Sequence, residues 1–205
     1  GSERITGVTR HERPHSSPGF RGTTTGRCRI EPAQRPGRAS HTMQTFHCET
    51  TATLEARAED VFDYLDDHRR IAAHMSDSSW MMAGSRMALE LDASQGRAVG
   101  AKIRLSGRAL GIALAVEEVV TERNPPLSKA WETTGRPQLL VIGPYRMGYQ
   151  VTPLGASSRL RVFIDYALPD GPVSRWLGRL FGRSYARWCT RRMAEEAATH
   201  FRKRG

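Results

Sequence analysis

The chain has 205 residues, 39% of them hydrophobic and 25% charged, and a formal net charge of +10. That is enough apolar matter for one packed domain of roughly 150 residues with chain left over, and it excludes wholesale disorder. No apolar run approaches the ~20 residues that span a bilayer, and no secretory h-region precedes the patterned part, so the expected location is cytoplasmic.

Residues 1–42 read as a basic, loosely ordered tail with eight Arg against three Glu and only scattered apolar residues. Such a segment buries too little surface to offset its ordering entropy. It is read as a flexible leader ahead of a domain beginning near Met43, with a basic arm for RNA or anionic lipid as the alternative. Three scattered cysteines, Cys28, Cys48 and Cys189, without a C-x-x-C pair, argue against a disulfide framework or a thiolate zinc site and fit a reducing compartment.

Patterning starts with a short strand over Phe46–Thr53. Val61, Phe62 and Leu65 then fall at helical spacing, and a second short helix is expected from Arg69 to His74. A series of period-two runs follows: Met87, Leu89 and Leu91; Ala101, Ile103 and Leu105; Ile112, Leu114 and Val116; Trp131 and Thr133; Tyr145, Met147, Tyr149 and Val151; Leu160, Val162, Ile164 and Tyr166. With turn signals between the runs, this is an antiparallel meander having one wet face. After Pro172, apolar residues recur in steps of three and four from Val173 to Phe201, which predicts one long amphipathic helix. Gly178 and Gly182 weaken that helix unless they let it lie close to the sheet or shape a cavity.

The predicted class is therefore α+β: a curved antiparallel sheet of about seven strands wrapped around a long C-terminal helix, with two short helices after the first strand. The order of elements, the run Ala58-Glu-Asp-Val-Phe-Asp-Tyr-Leu65 and the run Val119-Val-Thr-Glu-Arg-Asn-Pro-Pro-Leu-Ser-Lys-Ala-Trp131 carry a resemblance. So does the closing helix. Over residues 44–203 the chain resembles the START/polyketide-cyclase superfamily, the helix-grip fold of birch-pollen-allergen-like proteins.

That resemblance implies an elongated pocket between sheet and helix. Alternation nominates Leu89, Leu91, Ile103, Leu105, Leu114, Trp131, Met147, Tyr149, Val162 and Ile164 as its sheet wall, and Trp176, Leu180, Phe181, Trp188 and Cys189 as its helix wall. Apolar walls with a few aromatic polar groups suit a lipid-like or polycyclic ligand; the same residues also suit a filled core. Met75, Trp80, Met81 and Met82, with Met87, read as an adaptable gate or as a loop packed on the sheet edge.

Catalytic signals are sparse. No phosphate loop, dinucleotide fingerprint or G-x-S-x-G is present, the histidines lack zinc spacing, and no cofactor is expected. Asp66-Asp67-His68 reads as a helix end in solvent, with an acid–base group as the alternative. Alternation turns Glu90 and Asp165 away from the pocket, and Tyr149 or Tyr166 is the residue expected to orient a carbonyl.

Arg175, Arg179, Arg183, Arg187 and Arg191 recur at every fourth position of the last helix. They form either a solvated face or a contact for an anionic membrane, each worth on the order of 1 kcal/mol near such a surface. Residues 43–171 carry fourteen Lys/Arg against sixteen Asp/Glu, so the folded middle is not basic and nucleic acid is a poor partner. Three function classes remain: binding or transport of a hydrophobic small molecule or lipid, a cyclase/aromatase- or dehydratase-like enzyme, and a helper module recruiting a partner through its basic helix.

Overall fold

The computed structural model describes residues 24–32, 44–71, 86–109 and 111–203. Alternation sets the sheet. In β5 (Ile112–Asn124), Leu114, Val116, Glu118 and Val120 are buried while Glu117 between them is exposed. The same sheet contains β3 (Arg86–Leu91), β4 (Lys102–Ala109), β6 (Ser128–Gln138), β7 (Tyr145–Leu154) and β8 (Ser157–Tyr166). Two further strands, β1 (Thr25–Pro32) and β2 (Gln44–Leu54), complete an eight-stranded antiparallel sheet in the order β1-β2-β8-β7-β6-β5-β4-β3. Gly155, at φ +76, turns the β7–β8 hairpin in a conformation that L side chains disfavour.

The sheet thus has one strand more than the periodicity predicts. Residues 25–32, read from sequence as unpatterned tail, pair with β2 in a register that sets Cys28 opposite Cys48. The two cysteines form a disulfide, which corrects the expectation that the set would stay reduced. An edge strand of this kind needs no hydrophobic period. Backbone bonds to the open side of β2 and one covalent tether to a buried residue, Cys48, are sufficient to hold it.

Helix α1 (Ala58–Leu65) buries Ala58, Val61, Phe62 and Leu65, with Glu59 and Asp60 in the first turn favourably placed against the helix dipole. A single turn, α2 (His68–Ile71), follows. The long helix α3 (Pro172–Arg202) starts where Gly171, at φ +95, reverses the chain and Pro172 supplies a preset first residue. It packs chiefly on β2 and β8, with β1 and α1 beside them. A buried hydrogen bond of 2.9 Å between the Thr50 and Thr190 hydroxyls pins it to β2.

The side of α3 facing the protein is made of small residues: Gly178, Gly182, Ala186, Cys189, Thr190, Ala194 and Ala197, with Met193 the one large side chain among them. A Cβ on Gly178 would come within 2.8 Å of Pro169 Cδ, and one on Gly182 within 2.9 Å of the Val141 carbonyl oxygen. These glycines therefore allow close approach of the helix to the β6–β7 connection and the segment leading into α3. The result is a helix-grip fold, with the core between the sheet's inner face and α3.

Candidate functional site

The inner face carries the sheet residues that alternation nominates. Ile103, Leu105, Leu114, Trp131, Met147, Tyr149, Val162 and Ile164 are all buried, Leu89 and Leu91 are half-buried, and Met87 is buried on β3. Register brings them together across strands: Leu89 opposite Leu105, Leu105 opposite Val116, Trp131 opposite Met147, Met147 opposite Ile164 and Tyr149 opposite Val162. Met75, Trp80, Met81 and Met82, the expected gate, lie outside the described residues, as does the end of the second short helix.

The helix wall differs from expectation. Cys189 is buried and Trp188 half-buried, but Trp176, Leu180 and Phe181 are 63%, 56% and 49% exposed. The cause is the glycine side of α3: the close contact at Gly178 and Gly182 uses the small residues, and the bulky ones one or two positions away rotate outward. The arginine row is likewise mixed. Arg175, Arg179, Arg183, Arg187 and Arg191 are all exposed, but Arg191 pairs with Glu195 at 2.7 Å and Arg183 donates to the Cys28 carbonyl at 3.3 Å.

Two polar groupings interrupt the apolar inner face. In the first, Glu118 is fully buried and accepts hydrogen bonds from the Tyr145 hydroxyl and the Trp131 indole N–H. Ile103 and Thr133 stand beside Glu118 in register, and Tyr185 and Cys189 of α3 lie near Tyr145. Burial pushes the Glu118 carboxyl up to about 7, against the two hydrogen bonds that favour its ionised form. Burial also pushes the Cys189 thiol up to about 12, which leaves it a poor nucleophile near neutral pH. Sequence reasoning misses Glu118, yet a signal is present: the alternation of Leu114 and Val116, continued by one more step, lands on it.

In the second grouping, Asp66 and His68 are buried rather than solvated, a correction to the helix-end reading. The reason is Lys129, itself fully buried, whose Nζ donates to Asp66 Oδ1 at 2.7 Å and to the Asp66 carbonyl at 3.1 Å, and lies 3.1 Å from His68 Nδ1. Arg123 adds a second cation, donating from Nη2 to Asp66 Oδ2 at 2.9 Å. Burial alone would raise the Asp66 pKa, but hydrogen bonds from Arg123 and Lys129 outweigh it and hold the carboxyl below the usual range. Burial, assisted by the neighbouring Lys129 charge, lowers His68 to about 3, so its imidazole is neutral. The Tyr149 hydroxyl and His68 Nε2 are buried without a hydrogen-bond partner among the described residues.

Glu118 and His68 titrate with opposite effects on stability. Glu118 prefers its proton when folded, so its contribution is full below about 4.5 and is lost as pH rises to about 7. His68 resists its proton when folded, so its contribution is full above about 6.5 and is lost as pH falls toward 3. Between these limits the two slopes oppose each other. Glu118→Gln should therefore make stability rise with pH relative to the parent, by up to about 1.4 kcal/mol per pH unit between pH 5 and 6. Urea denaturation midpoints at several pH values check this; parallel curves for the two proteins would mean that Glu118 titrates normally.

Elsewhere, Glu90 is exposed, and Asp165 lies on the outer face as alternation requires, 2.6 Å from His47 Nδ1. Two open clefts of about 540 and 1130 Å³ flank the C-terminal end of α3, lined among others by Glu55, Tyr64 and His200. None of the nominated cavity residues lines either cleft. No group of His, Cys, Asp and Glu among the described residues has the arrangement of a metal site. Among the same residues, no helix is long and apolar enough to cross a membrane.

The architecture is shared with solved structures of low sequence identity. The Zhui aromatase/cyclase from Streptomyces sp. R1128 matches with a TM-score of 0.56 and 15% identity, over 78% of this chain and 95% of that one. A point mutant of norcoclaurine synthase from Thalictrum flavum, in complex with a transition-state analogue, matches at 0.54 and 15%, over 80% and 99%. A protein from Thermus thermophilus matches at 0.57 and 12%, over 78% and 99%. Comparison with curated proteins gives no match. At these identities the structural likeness speaks for the fold alone, but the sequence model of one family, described as polyketide cyclase/dehydrase and lipid transport, matches residues 45–203. A match over that length, on a helix-grip fold with an apolar inner face, means that the chain belongs to the polyketide cyclase/dehydrase and lipid-transport family.

Proposed function

We propose that the protein binds a hydrophobic small molecule or lipid bearing an oxygen function, against the inner face of β3–β7, with Glu118 and Tyr145 engaging that oxygen. The observation that carries this reading is the Glu118–Tyr145–Trp131 grouping set among Ile103, Leu105, Val116 and Met147. A purely structural core gains little from a carboxyl whose burial favours the protonated form. A carboxyl at about 7 beside a phenol donates to or accepts from a ligand hydroxyl or carbonyl with equal ease. Tyr185 and Cys189 of α3 border the grouping, although the main packing contacts of α3 are with β2 and β8.

The same grouping favours a second reading, a cyclase- or dehydratase-like enzyme. A group titrating near operating pH is suited to both take and return a proton, and Glu118 would be the general acid–base with Tyr145 orienting a carbonyl. The family description spans both activities.

Native mass spectrometry of the full chain purified from its own host, followed by organic extraction, distinguishes them. Binding without catalysis predicts the same small molecule from the parent and from Glu118→Gln, at lower occupancy in the variant. The enzyme reading predicts a cyclised or dehydrated species from the parent and its open-chain precursor from the variant. Equal recovery of nothing from either would refute both.

A further inference from the structure

The first half of α3 presents an uncovered apolar face. Val173 is 70% exposed, beside Trp176, Leu180 and Phe181. At 100° per residue these four and the half-buried Leu177 share one arc of about 140° of the helix. Arg175, Arg179 and Arg183 lie along one flank of that arc, and Arg187 lies on it two turns beyond Leu180. No acidic residue occurs in α3 before Glu195. Arg175, Arg179 and Arg187 make no ion pair among the described residues, whereas Arg191 and Arg192 are taken up by Glu195 and Glu196. Cations without an ion pair among the described residues therefore accompany the exposed apolar side chains, with Arg202 a further one at the far end of the helix.

We propose that this half of α3 is a docking surface for an anionic lipid bilayer, with Trp176, Leu180 and Phe181 entering the headgroup–acyl boundary and the arginines contacting phosphates. An apolar stripe containing Trp, bordered by Arg and free of acids, is the composition of a helix that lies in the membrane interface. Its opposite side, Gly178 and Gly182, is already fixed against the Val141 carbonyl and Pro169, so the stripe is held outward by packing and docks without rearrangement of the core. Charge complementarity selects lipid over a second copy of the chain. A two-fold pairing of this face would set arginine row near arginine row with no carboxylate to compensate, while an anionic bilayer supplies the missing charge. This proposal is independent of what the inner face binds.

The test is co-sedimentation of the full chain with vesicles of phosphatidylcholine alone and of equimolar phosphatidylcholine and phosphatidylglycerol, at about 0.05 M and about 0.5 M salt. The parent should bind the acidic vesicles, most tightly at low salt. A Trp176→Ser/Leu180→Ser/Phe181→Ser variant, which keeps every arginine including those of residues 1–42, should partition roughly tenfold or more weaker at either salt. Lipids carrying a quencher at shallow depth should reduce tryptophan fluorescence of the parent much more than that of Trp176→Phe, a substitution that leaves the apolar face intact and does not rely on the triple variant folding. Undiminished binding of the triple variant, equal quenching of parent and Trp176→Phe, or no binding to acidic vesicles at low salt would overturn the proposal. So would a parent dimer that the triple variant dissolves and acidic vesicles leave intact, because the face would then belong to a second copy.

Discussion

Asp66→Ala is expected to destabilise the protein by about 3–5 kcal/mol, because it leaves the Lys129 ammonium buried without its counter-charge. Lys129 is fully buried, and the Asp66 carboxylate is its only anionic partner at 2.7 Å among the described residues. The remaining acceptors, the Asp66 carbonyl and His68 Nδ1, are neutral, and burial already lowers the Lys129 pKa. Loss of the carboxylate also frees Arg123 and leaves Lys129 tied to the end of α1 by the Asp66 carbonyl alone. The double variant Asp66→Ala/Lys129→Met should recover a large part of the loss, since a methionine of similar reach needs no partner. Chemical denaturation of the parent, the single and the double variant measures this. A single variant within about 1 kcal/mol of the parent, or a double variant no better than the single, would show that the pair contributes little.

Trp131→Ala should cost a similar amount, about 3–5 kcal/mol, by the cavity it opens at the centre of the inner face. Trp131 is buried, meets the His68 ring edge-on at a centroid distance of 4.9 Å, and stands opposite both Val120 and Met147 in register. Its second role, donating to Glu118, separates from its packing in Trp131→Phe. That variant keeps most of the ring volume, should cost less than the alanine, and should raise the pH at which Glu118 titrates, because the ionised carboxylate loses a donor. A large fall in ligand occupancy from Trp131→Ala with unchanged denaturation would instead place the indole against ligand rather than in the core.

Most of the fold is legible in the sequence because its signals are local. Alternation at Ile103–Leu105 and Leu160–Val162–Ile164 reports a sheet with one buried face, and the steps of three and four from Val173 onward report a helix, without reference to any other part of the chain. β1 is not legible, because its pairing is carried by backbone groups of β2 and by Cys28 meeting Cys48, and neither leaves a period in the sequence.

The site divides the same way. Which residues of each strand face inward follows from parity alone, and Ile103, Trp131, Met147, Tyr149 and Val162 are where parity puts them. Parity also carries Glu118 inward, but the meaning of a buried carboxyl depends on Tyr145 and Trp131, which come from other strands. Likewise Asp66 and His68 are ordinary polar residues at a helix end until Lys129, remote from them in the chain, is brought beneath them. On α3, helical period identifies a bulky side and a small side, and apolar content alone would bury the bulky one. Steric fit reverses the choice in the first half of the helix. Val141 and Pro169 approach so closely that only Gly178 and Gly182 can face them, and Trp176, Leu180 and Phe181 are left outside. The sequence by itself determines periodicity, facing and class; the distances between segments remote in the chain determine which polar groups are partnered and which apolar face stays open, and those exist only in the tertiary structure.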